Sequence, residues 1–126
     1  MGMEKLYKIL LDTNFILIHH KFNIDIISEI ERILPGKYEL LTLSSVVDEL
    51  KNLKTIGRFG LAFIEQNNIK VVDWPEKGDR GLLSYAEKHG CILATNDKEL
   101  IKKARMKHIP VLFMRKKRIL DCEGVE

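Results

Sequence analysis

Four acidic residues of this chain lie where their carboxylates could act together. Asp12 directly follows an apolar run, and Asp97 comes shortly after another. Glu49 and Asp79 fall early in two segments with helical spacing. Clustered carboxylates repel one another and resist ionising together unless a cation joins them. A divalent-metal site built from these four acids is therefore the sharpest hypothesis that the sequence offers.

Helical periodicity turns Glu49 and Asp79 toward apolar faces. At 100° per residue, Glu49 lies at the edge of an apolar stripe, whereas Asp48 lies nearly opposite and is spaced for a capping box with Ser45. Asp79 begins an i, i+3, i+4, i+7 series with apolar residues, which predicts that it lies at the centre of the buried face. An unpaired carboxylate is costly there, so a role in a cleft is favoured for both residues.

A purely structural interpretation stays open for the acids near strand ends. Asp12 could be a helix N-cap, and so could Asn96 or Asp97, with Glu99 completing a capping box from Asn96. For any one of them a cap is the simpler explanation. A common cleft is favoured because four acids facing one place by accident is improbable.

The elements that must position these residues alternate between strand and helix. The expected strands are 7–11, 38–43, 69–72, 91–94 and 111–114, and the expected helices are 15–34 with a break near Phe22, one starting at Ser44, 56–67, 79–89 and 98–107. Continuous apolar strands between helices are typical of a parallel sheet covered on both faces. We therefore expect an α/β fold, a three-layer α/β/α sandwich with a central, mainly parallel five-stranded sheet. Ligand chemistry in such folds gathers at the carboxyl ends of the strands.

Composition predicts one domain, spanning residues 1–126, with a core at about 7–114 and a basic C-terminal tail at 115–126. The chain is 45% hydrophobic and 31% charged, which is typical of a globular protein. It has no apolar stretch long enough to cross a bilayer, and its start is too short and polar for a signal peptide, so we expect a cytoplasmic location without membrane contact. Cys91 and Cys122 fit no zinc pattern, and a disulfide between them is improbable.

The basic residues gather late in the chain although the net charge is only +3. They culminate in the run Arg115-Lys116-Lys117-Arg118. Such a patch could hold a nucleic-acid backbone, but taken alone it is better explained by a solvated helix face followed by a soluble tail. The chain also has no glycine-rich phosphate loop and no Cys/His pair arranged for a nucleophile. A hydrolase of this sequence would have to activate water with a metal.

Four segments resemble the motifs of the PIN-domain ribonucleases, in the same order along the chain. They are Ile-Leu-Leu-Asp12-Thr13-Asn14, Val46-Val47-Asp48-Glu49-Leu50, Gly78-Asp79-Arg80-Gly81-Leu82-Leu83 and Leu93-Ala94-Thr95-Asn96-Asp97-Lys98-Glu99-Leu100. The resemblance covers about residues 7 to 114. It implies that Asp12, Glu49, Asp79 and Asp97 are catalytic and bind one or two Mg²⁺ or Mn²⁺ ions, and that Asn14, Thr95 and Asn96 support them.

Two branches of this family fit the chain. The resemblance implies either a nuclease of small-subunit ribosomal RNA precursors, acting on a pre-ribosomal particle, or a VapC-type toxin held inactive by an antitoxin. In both, the substrate is single-stranded or looped RNA, and a homodimer is possible. Candidates for gripping RNA phosphates are Lys51, Lys54, Arg80 and Lys98.

Two other classes of function remain as alternatives. A non-catalytic RNA-binding or assembly module with the same fold would bind RNA without needing its acids. A phosphoacceptor signalling domain would need an acceptor such as Asp73 at the end of the third strand, although the following Trp74-Pro75 is more typical of a loop.

Overall fold

A six-stranded sheet lies at the centre of the computed structural model, which describes residues 5–125. Residues 1–4 and 126, the ends of the expected 1–126 domain, lie outside the described part. The strands are β1 (Leu6–Leu11), β2 (Lys37–Leu43), β3 (Lys70–Val72), β4 (Ile92–Ala94), β5 (Val111–Arg115) and β6 (Ile119–Glu123). The helices are α1 (Thr13–Ile16), α2 (Ile18–Phe22), α3 (Ile26–Ile33), α4 (Ser44–Asn52), α5 (Lys54–Gln66), α6 (Gly78–His89) and α7 (Lys98–Met106).

The sheet has the order β3-β2-β1-β4-β5-β6, and its first five strands are parallel. Ile9, Leu10 and Leu11 of β1 are each 0% exposed. Successive strand residues point to opposite faces, so this run is covered on both sides, as the apolar pattern predicts. The α/β sandwich with a mainly parallel sheet is confirmed. Every parallel strand therefore ends at one common edge, which we call the carboxyl edge.

The sheet has one more strand than the five expected. Residues 119–123 form β6, antiparallel to β5, with Met114 opposite Leu120. Leu120 is 1% exposed, and its backbone exchanges hydrogen bonds with the side chains of Arg32 and Glu29 of α3, both at 2.9 Å. The expectation of a soluble tail over 115–126 was therefore wrong for this segment. The sequence pattern did not predict this strand because only two or three of its residues are apolar and a dense cationic run precedes them.

The turn between β5 and β6 adopts a conformation that is unusual for its residues. Lys116 and Lys117 both have φ of 54°, and the Arg118 N–H donates to the Arg115 carbonyl at 3.2 Å. Positive φ at both central residues is the requirement of a type I′ hairpin turn, which favours Asn-Gly. Lysine in this region carries a steric cost of roughly 1 kcal/mol per residue.

The remaining boundaries lie within one or two residues of those expected, except in the first helical stretch. That stretch divides into α1, α2 and α3, with an unexpected break at Leu17. The expected break near Phe22 is confirmed: Asn23 has φ of 55°, and Asp25 caps α3 by accepting from the Ser28 N–H at 3.1 Å. Left-handed Asn and an Asp cap are the residue types that such junctions favour.

Neither cysteine forms a disulfide within residues 5–125. Cys91 is buried, and this burial raises the pKa of its thiol to about 11, so it is an inert core residue. Among the described residues, no helix combines the length and apolar character needed to span a bilayer.

Replacing Lys116 with Asn and Lys117 with Gly should stabilise the protein. The new residues accept positive φ at a lower steric cost than lysine, and the conformational entropy that glycine loses on folding offsets part of this gain, so we expect the free energy of unfolding to rise by about 1 kcal/mol. Urea unfolding of the double variant and the unmodified protein measures this difference. A loss of stability would contradict the turn geometry described above.

Candidate functional site

The four acids of the sequence hypothesis line one cleft at the carboxyl edge. Each follows a different parallel strand: Asp12 follows β1, Glu49 follows β2, Asp79 follows β3 and Asp97 follows β4. The cleft has a volume of about 540 Å³, and Asp48 also lines it. We refer to it as the acid cleft, meaning the cleft lined by Asp12, Asp48, Glu49, Asp79 and Asp97.

Asp12 is the most enclosed of these acids and the one held by the most hydrogen bonds. Its Oδ1 accepts from the Thr13 N–H at 2.7 Å, which makes it the N-cap of α1. Its Oδ2 accepts from the Thr95 hydroxyl at 2.7 Å and from the Asn14 amide at 3.1 Å. Burial raises the pKa of Asp12; the hydrogen bonds from Thr95 and Thr13 lower it, and the charges of Glu49 and Asp79 raise it. The acids are therefore close enough to repel one another.

The three residues expected to support the acids form one connected network. Thr95 is completely buried, and besides donating to Asp12 its hydroxyl accepts from the Asp97 N–H at 3.2 Å. The Asn14 side-chain oxygen accepts from the Asn96 N–H at 2.9 Å. These bonds join the loop after β1 to the loop after β4 and fix the orientation of Asp12.

Asp97 is the N-cap of α7 and also lines the acid cleft. Its Oδ1 accepts from the N–H groups of Glu99 and Leu100, at 2.9 and 3.3 Å. Its Oδ2 receives no hydrogen bond from residues 5–125. The alternative capping box from Asn96 to Glu99 was wrong, because the Asn96 side-chain oxygen accepts instead from the Met114 N–H at 2.9 Å.

Asp79 and Glu49 are more exposed than their helical periodicity suggested. The Asp79 side chain is 43% exposed and lies 4.0 Å from the Lys103 ammonium, so its expected place at the centre of a buried face was wrong. It occupies the first turn of α6, where its side chain reaches the cleft and the surface instead of the core. Glu49 is exposed on α4.

The expected capping box between Ser45 and Asp48 was also wrong. Helix α4 begins directly at the end of β2, with Leu43 as its N-cap and no side-chain capping bond. Ser45 and Asp48 both line the acid cleft. Asp48 is thus a fifth carboxylate that the capping interpretation concealed.

The cations that line the acid cleft are not those expected from the sequence. Lys51, Lys54, Arg80 and Lys98 are exposed, and none of them lines it; Arg80 lies instead along a neighbouring hollow beside Lys103. The cleft is lined by Lys21 and Lys77. Lys77 could have been found from its place two residues before Asp79, and Lys21 from its i, i+4 spacing with Leu17, which lines the cleft as well.

The donor set suits a hard divalent cation that is held in part through water. Within residues 5–125, no three carboxylate, imidazole or thiol groups converge closely enough to hold an ion directly. Mg²⁺ usually keeps several waters and needs only one or two carboxylates. The acid cleft, with five carboxylates, offers that arrangement, and Asp12 with its repelling neighbours supplies the negative charge.

Sequence comparisons relate the chain to known ribonucleases. A family model described as a PIN like domain matches residues 9–117. Ribonuclease VapC4 of Methanocaldococcus jannaschii is 37% identical over 130 aligned residues, covering 95% of this chain and 99% of that protein. Ribonuclease VapC9 of Archaeoglobus fulgidus is 35% identical over 112 residues, covering 82% of this chain and 80% of that protein.

Solved structures give the same picture of the fold. The PIN domain endonuclease Utp24 superposes with a TM-score of 0.79 at 26% identity, covering 94% of this chain and 92% of that chain. A domain of a functionally unknown protein from Methanocaldococcus jannaschii superposes with a TM-score of 0.60 at 20% identity, covering 95% and 96%. The second similarity shows the fold alone.

Replacing Thr95 with Val should destabilise the protein more at neutral pH than in acid. The Thr95 hydroxyl lowers the pKa of Asp12 because it stabilises the ionised carboxylate. Removing the hydroxyl therefore lowers the free energy of unfolding most when Asp12 is ionised, and less as falling pH protonates Asp12. We expect a loss of about 2 kcal/mol at neutral pH. Urea unfolding across a pH series measures it.

Thr42→Val is the matched control for this prediction. Thr42 is also completely buried, and its hydroxyl donates at 2.7 Å to the Leu11 carbonyl, which does not titrate. The loss of stability in Thr42→Val should therefore not depend on pH. Equal pH dependence in the two variants would show that Asp12 is not the acceptor that matters.

Replacing Glu49 with Gln should lower the pKa of Asp12, because the Glu49 charge raises it. The raised pKa means that the folded protein binds the Asp12 proton more tightly than the unfolded chain does. The contribution of Asp12 to folding stability therefore falls as pH rises through that raised pKa. Glu49→Gln should reduce this fall. Carbon NMR titration of the Asp12 carboxyl measures the shift, with Glu87→Gln, outside the cleft, as control. An unchanged Asp12 titration in Glu49→Gln would refute the coupling.

Proposed function

Because this chain belongs to the PIN-domain ribonuclease family, we propose that it is an endoribonuclease that depends on a divalent metal ion and hydrolyses RNA phosphodiester bonds at the acid cleft. The family match and the ribonuclease relatives support the nuclease activity. The observation that carries the rest is the gathering of Asp12, Glu49, Asp79 and Asp97 around one cleft.

The proposed metal site consists of these four acids and takes one or two Mg²⁺ or Mn²⁺ ions. A divalent ion bound there would supply an activated water and positive charge against the phosphate. The network of Asn14, Thr95 and Asn96 keeps the Asp12 carboxylate oriented. Such orientation by surrounding hydrogen bonds is what holds a hydrolytic site ready for its substrate.

Lys21 and Lys77 have the proposed role of attracting the substrate phosphate into the cleft that they line. Without them the five carboxylates would repel a polyanion. The four cations expected from sequence, Lys51, Lys54, Arg80 and Lys98, stay candidates for contacts with RNA farther from the reacting phosphate. None of these contacts needs to distinguish bases, because phosphate contacts position the RNA without specifying its sequence.

The biological setting that we propose is that of a toxin ribonuclease controlled by an antitoxin. It is supported by the relatives named VapC4 and VapC9, at 37% and 35% identity, against 26% for the endonuclease Utp24. Processing of ribosomal RNA precursors on a pre-ribosomal particle is the alternative. The proposal includes a single-stranded or looped RNA substrate, a cytoplasmic location, a possible homodimer and one nuclease domain over the whole chain.

Asparagine at Asp12 or Asp97 should reduce cleavage of a structured RNA in the presence of Mn²⁺ by about 100-fold or more, since each change removes a carboxylate from the proposed ion site. Gel analysis of cleavage over time measures the rate. The matched control is Asp73→Asn, which changes an exposed acid outside the acid cleft and should cut at the normal rate.

A second measurement separates this proposal from a non-catalytic RNA-binding module. Mn²⁺ should raise the thermal unfolding temperature of the unmodified protein and of Asp73→Asn, but much less that of Asp12→Asn, because an ion that binds only the folded protein stabilises it. Full cleavage by both acid variants would overturn the catalytic role. RNA binding by the unmodified protein without cleavage or ion uptake would favour the binding module.

A further inference from the structure

The turn between β5 and β6 carries the densest positive charge of the chain. We call it the basic turn, meaning Arg115, Lys116, Lys117 and Arg118. Strand β5 runs parallel to β4, and β4 runs parallel to β1, so β5 also ends at the carboxyl edge. The basic turn therefore projects from the edge at which the acid cleft opens.

Hydrogen bonds connect the base of this turn to the cleft. The Met114 N–H donates to the Asn96 side-chain oxygen, and the Asn96 N–H donates to the Asn14 side-chain oxygen, both at 2.9 Å. Asn14 in turn donates to Asp12. The basic turn thus begins one residue beyond the network that orients Asp12. Two strand spacings separate β5 from β1, a lateral distance of roughly 10 Å.

Three of the four cations have no partner in the described part of the chain. Arg115 pairs with Asp121 at 3.0 Å, whereas Lys116, Lys117 and Arg118 are exposed and form no ion pair within residues 5–125. The fold does not require lysine here, because positive φ at Lys116 and Lys117 favours other residues. A local sequence that opposes its own backbone conformation is expected at functional sites.

We propose that the basic turn binds the sugar-phosphate backbone of RNA beside the acid cleft and holds the substrate across it. This inference rests on the proposed function. A polyanion approaching five carboxylates needs positive charge nearby, and the basic turn supplies it at the same edge. The turn itself presents only charged side chains, whereas protein interfaces have an apolar centre, so RNA fits this surface better than a protein does.

The test variant is Lys116→Asn with Lys117→Gly, which removes two charges while relieving the turn. Binding is measured by fluorescence anisotropy with a labelled oligouridine of about 16 nucleotides, in chelator so that nothing is cut, over a salt series. We expect about tenfold weaker binding at low salt and a salt slope smaller by about 1.4, the value for two lost phosphate contacts. Weaker RNA binding by a protein at least as stable as the original excludes an effect of misfolding.

The matched control is Lys8→Gln with Lys70→Gln, which removes the same charge from exposed residues of β1 and β3 away from the basic turn. It should bind almost as the unmodified protein does. Equal weakening in both double variants would show a net-charge effect and overturn the proposal. Unchanged oligouridine binding by the turn variant would also overturn the proposal. If that variant binds oligouridine normally but has lost binding to polyglutamate, the basic turn would be assigned to an acidic protein instead of RNA.

The failure of this inference can be distinguished from failure of the proposed function. Asp12→Asn should cut poorly in Mn²⁺ while still binding oligouridine in chelator. Normal binding by the turn variant together with inactive Asp12→Asn would refute the basic turn alone. Normal cutting by Asp12→Asn would refute the acid cleft as the catalytic site, while a weakened turn variant would still support the basic turn.

Discussion

The candidate site depends on keeping the Asp12 carboxylate negatively charged in a largely enclosed place. Burial opposes its ionisation, and three donors from Thr13, Asn14 and Thr95 act against that cost. Thr95 is 83 residues from Asp12 in the sequence and reaches it only because β4 pairs directly with β1. The pairing continues to the site itself, where the Asp12 N–H donates to the Ala94 carbonyl at 2.9 Å. The strand order of the sheet is therefore a condition for the charge state of one carboxylate.

The distribution of charge around this residue is uneven in a way that net charge does not show. The chain as a whole carries a net charge of only +3, yet five carboxylates line one cleft. Lys21 and Lys77 line the same cleft, and the cations of the basic turn lie along the carboxyl edge. Charges of one sign in a confined cleft raise their own electrostatic energy, and a bound cation relieves it. The surrounding cations do not neutralise the acids directly: the Lys103 ammonium, at 4.0 Å from Asp79, makes a half-exposed pair of the kind that contributes little. An acidic centre with a basic surround can attract both a divalent ion and a polyanion.

Sequence periodicity predicted the parts of this arrangement that depend on neighbouring residues in the chain. The apolar runs predicted β1 and β4, and so the positions of Asp12 and Asp97 at the carboxyl edge. Helical spacing turned Glu49 toward the cleft, but it could not show that the first turn of α6 leaves Asp79 partly exposed. Local spacing relates Lys77 to Asp79 and Lys21 to Leu17, but it does not show that their separate segments meet at one cleft, so both lysines were missed.

Other errors came from patterns that have two meanings. Ser45 and Asp48 have capping-box spacing, but α4 follows β2 without the intervening residues in which a box could form, so both side chains are left to line the cleft. The run 115–118 has the composition of a soluble tail, yet the apolar contacts of Leu120 turn the chain back into a sixth strand. In both cases tertiary contacts decided between two locally acceptable structures.

Capping and function are not alternatives for Asp12 and Asp97, although the sequence presented them in that way. Each caps a helix with Oδ1, and the capping N–H groups fix the rotation of the carboxylate. The cap uses one carboxylate oxygen, and the second oxygen is fixed with it because both belong to the same planar group. Orienting the second oxygen therefore costs no further side-chain entropy. In Asp12 that second oxygen belongs to the Thr95 and Asn14 network, and in Asp97 it receives no bond from residues 5–125. A helix that begins at a parallel strand end thus provides a carboxylate that is already oriented, and this is the physical reason why acids at such positions can be both structural and chemically active.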